Sequence, residues 1–573
     1  MSDAPFPPPT DGAPASLAES RDDAPARQAP SADYDAVVIG GALAGASAAI
    51  LLKRRRPEAR VLLVERQERF GRKVGEATVE TSAYFLEHVL GQVDHLRSEQ
   101  LPKHGLRFWF ADRPGRRLDE MTEIGARRPP SLPSWQLDRA KLDEAVLAAA
   151  REAGVEVARP AKVTAVELGR PESRLTVEPL VGTGDDRPDA GRDGSAGDHA
   201  AARPREVRAR WVLDASGRQA FLARRLRLLS RHEDHPTAAM WARWRGAASL
   251  DRPPFAAGAD GGGPGSLPPM AASRRQATNH FCGYGWWCWV IPLAGGDTSV
   301  GLVHHKQLFT PAGDGPLAER YRAFVTSRPG LREILAPAEM ADDDFHAYAY
   351  LPYRTARYAA PGWALLGDAA SFMDPYYSPG LDHLAMSVFA TVELVADDLD
   401  GRLGEAALAA RVAEHDRRFR RSYDRWLEAL YLGKYELMGD AELTTCAYLV
   451  DTALYYLGIV TPIYRHPAAL AHPAFGLSIR QSGVAFRFMR RFNRRMNRLA
   501  RLRRTTGRYG RKNAGWRKIG PSPGLGLRAL PMLAAGVALW LRLEAQHVGD
   551  YLLHRLRRGR PDLSRPVADV STP

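Results

Sequence analysis

The sequence predicts an α/β fold: a βαβ unit near the N-terminus, an inserted β-rich region and a helical C-terminal part. Three observations carry this. The run Tyr34-Asp35-Ala36-Val37-Val38-Ile39 is short, apolar and β-branched, as a buried parallel strand is. The turn Gly40-Gly41-Ala42-Leu43-Ala44-Gly45 follows at once and opens an apolar helix-forming run through Leu52. A second strand, Val61-Leu62-Leu63-Val64, ends in Glu65 with Arg66 beside it. That order and spacing describe a Rossmann-type unit, in which the helix N-terminus faces a pyrophosphate and the acid takes ribose hydroxyls. Ala42 stands where the second glycine of G-x-G-x-x-G belongs.

The remaining elements follow in order. A helix is expected from about Arg139, with apolar positions at Leu142, Val146 and Ala149, leading into a strand. A polar, Gly-rich insertion between Gly182 and Arg205 reads as a mobile hairpin tip. Trp211 to Arg218 reads as a strand closing on a glycine turn. From Thr278 the chain turns aromatic, and Gly295-Gly296-Asp297 suggests a hairpin whose second strand is Thr298 to Val303. Trp363 to Ala370 is a strand running into an acid, Asp368, at a helix start. Beyond about residue 385 the pattern is largely helical. The expected division is a disordered lead at 1–32, a nucleotide-binding domain at 33–400 and a helical region at 401–573. The β-rich substrate region is inserted at about 100–135 and 220–355.

Size and composition suit a globular protein with a large core: 573 residues, 45% hydrophobic and 25% charged. The first 32 residues lack the apolar run of a signal peptide. Cys282, Cys288 and Cys446 are odd in number and lack metal-ligand spacing, so reduced thiols in a cytoplasmic protein, and no metal, are expected. The net charge of +14 is local: Arg480 to Lys518 holds fifteen Lys or Arg and no acid, and the rest is near neutral. A nucleic-acid partner is therefore not expected from the charge.

Taken together, these segments resemble the FAD-dependent oxidoreductases of the aromatic-hydroxylase fold, and most closely the flavin-dependent halogenases, over about Asp33 to Asp400. Trp287-Cys288-Trp289-Val290-Ile291-Pro292 matches the W-x-W-x-I-P motif, and Phe372, Pro375, Ser378 and Gly380 match F-x-x-P-x-x-S-x-G. The resemblance implies FAD held by Gly40, Gly41, Ala42, Ala44, Gly45, Glu65, Arg66, Arg139, Gly367 and Asp368. It also implies that Pro375, Ser378, Pro379 and Gly380 lie beside flavin and halide. Trp287 and Trp289 become a wall that keeps organic substrate from the flavin, or else ordinary core packing. Lys103 falls where halogenases keep a catalytic lysine that holds hypohalous acid; taken alone it reads as a surface lysine beside a proline turn.

The implied reaction is halogenation of an electron-rich aromatic or conjugated intermediate of specialised metabolism, free or carrier-bound, by reduced FAD, oxygen and halide. With one dinucleotide fingerprint, a separate flavin reductase is expected. Two departures stand out. Tryptophan-specific members carry a glutamate where this chain has Tyr377, so free tryptophan is not the expected substrate. The family binds halide with backbone N–H groups of the two residues after the motif serine. Here the first of these is Pro379, which has none. Either another donor serves, or the enzyme is a monooxygenase or dehydrogenase on the same scaffold.

The basic segment precedes an apolar core, Ala529 to Leu541, whose thirteen residues fall short of the roughly 20 of a membrane span. Three readings stand for 480–545: a helix at the anionic inner face of a membrane, a helix packed on the nucleotide domain with basic residues outward, or a dock for an acidic carrier protein.

Overall fold

The computed structural model describes residues 32–180, 203–256, 266–341, 344–476, 480–520 and 523–558. The lead at 1–31 and most of the Gly182–Arg205 insertion lie outside the described residues, as does part of the Gly/Pro-rich loop at 251–272. Two sheets organise the rest. The first is centred on Tyr34–Ile39, which pairs in parallel with Val61–Val64 on one side and Arg205–Asp214 on the other. Trp363–Leu365 and Glu156–Ala158 extend it in parallel at the two ends. Ile39, Val64 and Asp214 share one register level, so the strand ends open together onto the turn at Gly40. That is where an open parallel sheet binds its ligand.

Helix Leu43–Arg55 lies on this sheet, packed against helices Arg139–Glu152 and Gly380–Leu399. Its contact side is built of small residues, and Gly45 makes the approach possible. A Cβ there would stand 1.9 Å from the Gly40 carbonyl oxygen and 3.0 Å from Val38.

The second sheet runs in the order Glu339–Met340, Thr237–Arg245, Thr298–His305, Trp286–Pro292, Thr278–Gly283, Leu106–Phe110, Thr122–Ala126, Arg517–Gly520. Strand alternation divides the motif strand between two cores. Trp287, Trp289 and Ile291 pack on the side of Phe108 and Tyr376, whereas Cys288 and Val290 pack with Trp109, Phe281 and Tyr321. Gly301 sits opposite Trp289, where a Cβ would meet the indole at 2.1 Å. The ring can lie flat on the strand only because that side chain is missing.

The C-terminal region is helical, as expected, with one exception. Arg517–Gly520 is a strand that joins the inserted sheet in parallel with Thr122–Ala126. Strands at the edge of a sheet have open backbone groups; this segment pairs those of Thr122–Ala126 and forms the new edge itself. The helix that carries the apolar run extends well beyond it. Helix Leu530–Arg558 spans 29 residues and packs on Ala441–Tyr455 rather than on the nucleotide domain.

We expect Gly45→Ala to destabilise the protein by about 1–3 kcal/mol through overpacking. Denaturant unfolding would measure it, and an unchanged midpoint would mean that helix and strand can separate at no cost.

Candidate active site

A first cavity of about 690 Å³ opens where the parallel strands end. Gly40, Ala42, Leu43 and Ala44 line it from the turn, and Glu65, Arg66, Arg139 and Asp368 line it from three other segments. The N-terminus of helix Leu43–Arg55 carries neither a side-chain cap nor an acid in its first turn. Leu43 gives its N–H to Asp143 Oδ1 at 3.1 Å, whereas the next N–H, of Ala44 on the cavity wall, has no acceptor among the described residues and, with the positive dipole end, faces an anion. Arg139 is buried and ion-pairs with Asp143 at 3.1 Å, leaving its Nε without a partner. These features fit the phosphates and ribose of a dinucleotide.

Several predicted positions behave differently from the expectation. Gly41 and Gly45 do not line the cavity, and neither does Gly367. Gly41 gives its N–H to Glu65 Oε2 at 2.6 Å, and Gly45 is a packing contact. Glu65 accepts a second backbone N–H, from Gln67 at 2.8 Å, so its oxygens are oriented before any ribose arrives. Asp368 has its pKa raised by burial, partly offset by the charges of Arg218, Arg139 and Lys73. Arg218 and Lys73 also line this cavity, beyond the residues that the resemblance implies. Their signal was the basic run Arg69 to Lys73 and the arginine closing the Asp214 turn.

The segment Met373–Asp382 divides this cavity from a second one. Asp374, Pro375, Ser378, Gly380 and Leu381 line the first cavity; Met373, Tyr377, Pro379 and Asp382 line the second. Pro379 therefore faces away from the expected flavin side. Tyr377 and Ser378 sit consecutively at φ +70° and +58°, a left-handed conformation that costs non-glycine residues energy. The strain turns the chain sharply into helix Gly380–Leu399, for which Pro379 is the uncapped N-cap. Gly380 and Leu381 begin the helix, and their N–H groups, which have no acceptor within it, belong to residues lining the first cavity.

Trp287 and Trp289 line the first cavity. The Trp287 indole donates to Tyr435 Oη at 3.0 Å, and Trp289 donates to Ser299 Oγ at 3.1 Å. Between the cavities stands an aromatic partition. His280 stacks on Phe108 at 4.9 Å and lies 5.1 Å from Trp287, and Tyr376 lies 4.3 Å from Tyr377. Burial pushes the His280 pKa down to about 3, so its imidazole is neutral.

The second cavity, of about 610 Å³, holds Lys103. The surface reading of this lysine fails: it is 2% exposed, and its Nζ donates to the Thr78 carbonyl at 2.6 Å. Burial lowers its pKa to about 8, against the opposing pull of Glu80 and Asp382. Both carboxylates line the same cavity. Asp382 accepts from Ser82 N at 2.9 Å and Tyr455 Oη at 2.7 Å, and burial raises its pKa to about 7. Glu80 accepts from Tyr456 Oη at 2.7 Å. Sequence reasoning missed both acids and the tyrosines, because Glu80, Asp382 and Tyr455 meet only in the folded chain.

The family model for tryptophan halogenases matches residues 35–127. The chain is 27% identical over 409 residues to the sulochrin halogenase gedL of Aspergillus terreus, covering 68% of this chain and 67% of that one. It is 26% identical over 381 residues to the flavin-dependent halogenase chlA of Dictyostelium discoideum, covering 63% and 60%. With the second of these relatives the match spans less than two thirds of that protein. Among solved structures, the halogenase PltM in complex with phloroglucinol and FAD superposes with a TM-score of 0.65 at 18% identity, over 93% of this chain and 99% of that one. Fold and sequence together define the class: a halogenase-like FAD protein of the oxidoreductase type.

The buried Lys103 has a measurable consequence for stability. Its pKa falls from 10.5 unfolded to about 8 folded, so the unfolded chain binds more protons between those values. The cost of burying its charge is therefore full below pH 8 and fades as pH rises toward 10.5. Lys103→Met should raise stability at pH 7 by about 1–3 kcal/mol, less the lost hydrogen bond to Thr78. Urea unfolding at pH 7 and pH 10 tests this; a gain at pH 10 equal to that at pH 7 would contradict it.

Proposed function

We propose that the protein halogenates an electron-rich, phenol-like aromatic small molecule bound in the second cavity, with FAD in the first. One observation carries the reading: a buried amine, Lys103, lies in an aromatic-lined cavity divided from the dinucleotide cavity by the motif segment itself. FAD would be held at its pyrophosphate by the N-terminus of helix Leu43–Arg55, at its ribose by Glu65, and near its ribityl chain by Asp368 and Arg139. Reduced FAD, oxygen and halide supply hypohalous acid. The halide would rest on the N–H groups of Gly380 and Leu381, at the positive end of a 20-residue helix. Trp287 and Trp289 keep the organic substrate on its own side, so that oxygen is not delivered to it directly.

Lys103 would then receive the oxidant through the partition and hold it by a hydrogen bond, or as a haloamine once deprotonated. A pKa of about 8 keeps both forms within reach at neutral pH. Asp382, held by Ser82 and Tyr455, is placed to accept the phenolic proton as the ring is attacked. The cavity's volume suits one small aromatic. The phloroglucinol in the PltM complex is a phenol, which supports that substrate class, and Tyr377 argues against free tryptophan. A separate reductase is the reading that the single dinucleotide fingerprint supports.

Incubating the enzyme with a flavin reductase, NADH, FAD, bromide and a phenol panel should give brominated product by mass. Lys103→Ala should abolish that product while FAD binding and oxygen consumption stay nearly intact. Oxygenated or dehydrogenated products without halogen, at any halide, would favour a monooxygenase or dehydrogenase instead. Glu65→Ala should weaken FAD binding by about 1–3 kcal/mol in a fluorescence titration, and full affinity would remove Glu65 from the ribose site. NADPH alone should reduce the bound flavin poorly; rapid anaerobic bleaching without a reductase would refute the need for a partner.

A further inference from the structure

The outer face of the C-terminal helices is apolar where a protein surface is ordinarily polar. On helix Leu530–Arg558 the residues Leu530, Ala534, Ala538, Leu541, Ala545, Val548, Leu552 and Leu556 are all exposed. At 3.6 residues per turn they fall within about 80° of arc and run along roughly 40 Å of helix. Leu541 is 65% exposed and Leu556 84%. The opposite side of the helix is fully engaged, with Met532, Leu539 and Leu543 packed against Leu443, Cys446 and Val450. The exposed stripe is therefore not a frayed end but the free side of a docked helix.

The neighbouring helix Arg480–Thr505 continues this face. Exposed Phe488 lies 6.5 Å from Trp540 by ring centroids, and Arg495 pairs with Glu544 at 2.6 Å, so the two helices lie side by side. Val484 and Phe488 share an arc of about 100° with Arg487, Arg491 and Arg498. Several arginines of this segment are ion-paired: Arg490 and Arg494 share Glu428, Arg501 pairs with Glu436, and Arg503 with Asp440 and Glu442. Arg487, Arg491 and Arg498 are exposed and have no ion-pair partner among the described residues. The positive charge left over is thus concentrated beside the apolar stripe.

We propose that this face docks on an anionic phospholipid surface. The stripe of helix Leu530–Arg558 lies in the boundary between headgroups and acyl chains, and Arg487, Arg491 and Arg498 contact the headgroup phosphates. Charge selects this occupant over a second copy of the chain, since self-association here would bring two basic faces together in a protein of net charge +14. An acidic protein partner would match the arginines but would leave no reason for eight successive outward positions without a charge. The helix lies on the membrane and does not cross it, because its inner side is committed to the protein core.

The test uses the full-length protein and sedimentation with vesicles of phosphatidylcholine alone or with one-third phosphatidylglycerol. Binding to the anionic vesicles should exceed binding to the neutral ones at least tenfold at low salt and fall steeply as salt rises. Leu541→Glu/Val548→Glu/Leu552→Glu should lose at least tenfold, and Arg487→Gln/Arg491→Gln/Arg498→Gln should flatten the salt dependence, both with flavin content retained. Independently of those variants, Val548→Cys can carry an environment-sensitive fluorophore selectively, because the three native cysteines are buried. Its emission should shift to the blue on adding anionic vesicles. No vesicle binding by the wild type, or no shift at position 548, would overturn the proposal. So would a wild-type dimer that the triple glutamate variant converts to monomer, which would assign the face to a second copy.

Discussion

The buried carboxylate of Asp374 holds the two halves of the site together. It is 1% exposed and takes hydrogen bonds from His235 Nε2 at 2.9 Å, Tyr435 Oη at 2.9 Å and the Tyr376 N–H at 3.0 Å. Tyr435 in turn accepts from Trp287. One side chain therefore ties the partition segment to the inserted sheet through His235, to the C-terminal helices through Tyr435, and to the motif indole at one remove. A buried carboxylate deprived of these donors would cost several kcal/mol, so the four segments keep their places as a unit. The strained Tyr377–Ser378 turn persists because both of its ends are held in this way, by Asp374 on one side and by the start of helix Gly380–Leu399 on the other.

The partition accounts for the electrostatics on its two sides. The first cavity gathers positive features: a helix N-terminus, Arg139, Arg218, Lys73 and the first turn of Gly380–Leu399. They stand beside the carboxylates of Glu65, Glu76, Asp368 and Asp374, and they suit the phosphates of FAD. The second cavity holds the amine of Lys103 with the carboxylates of Glu80, Asp382 and Asp451 among tyrosines. Desolvation disfavours the charges of Lys103 and Asp382 and brings both groups toward neutral pH, one from above and the other from below. Groups poised in this way can exchange protons with a substrate at little cost, whereas ordinary surface lysines and aspartates could not.

The C-terminal region is part of the site and not an appendage. It contributes Tyr435, Tyr448 and Tyr455, and it extends the inserted sheet by the strand Arg517–Gly520. Its basic sequence is largely answered in space by acids at 428–442 and by Glu544 and Asp550, and only a few arginines on the outer arc keep their charge open. A linear charge count sees the arginines together but not the acids folded against them.

The sequence by itself determined the βαβ unit, the hairpin carrying Trp287 and Trp289, the helix from Arg139 and the strand into Gly367-Asp368. All of these are local: periodicity, turn glycines and strand composition act over a few residues, and the neighbours along the chain set them. The resemblance to the halogenases also singled out Lys103, although nothing local could tell a buried lysine from a surface one. Only the tertiary structure decided that question, because burial depends on what arrives from elsewhere, here Thr78, Glu80 and Asp382. It likewise decided that Pro379 turns to the second cavity, and that the first turn of the following helix borders the first. Each of these outcomes is a relation between segments up to hundreds of residues apart, and such relations are set by packing, which no single stretch of the chain contains.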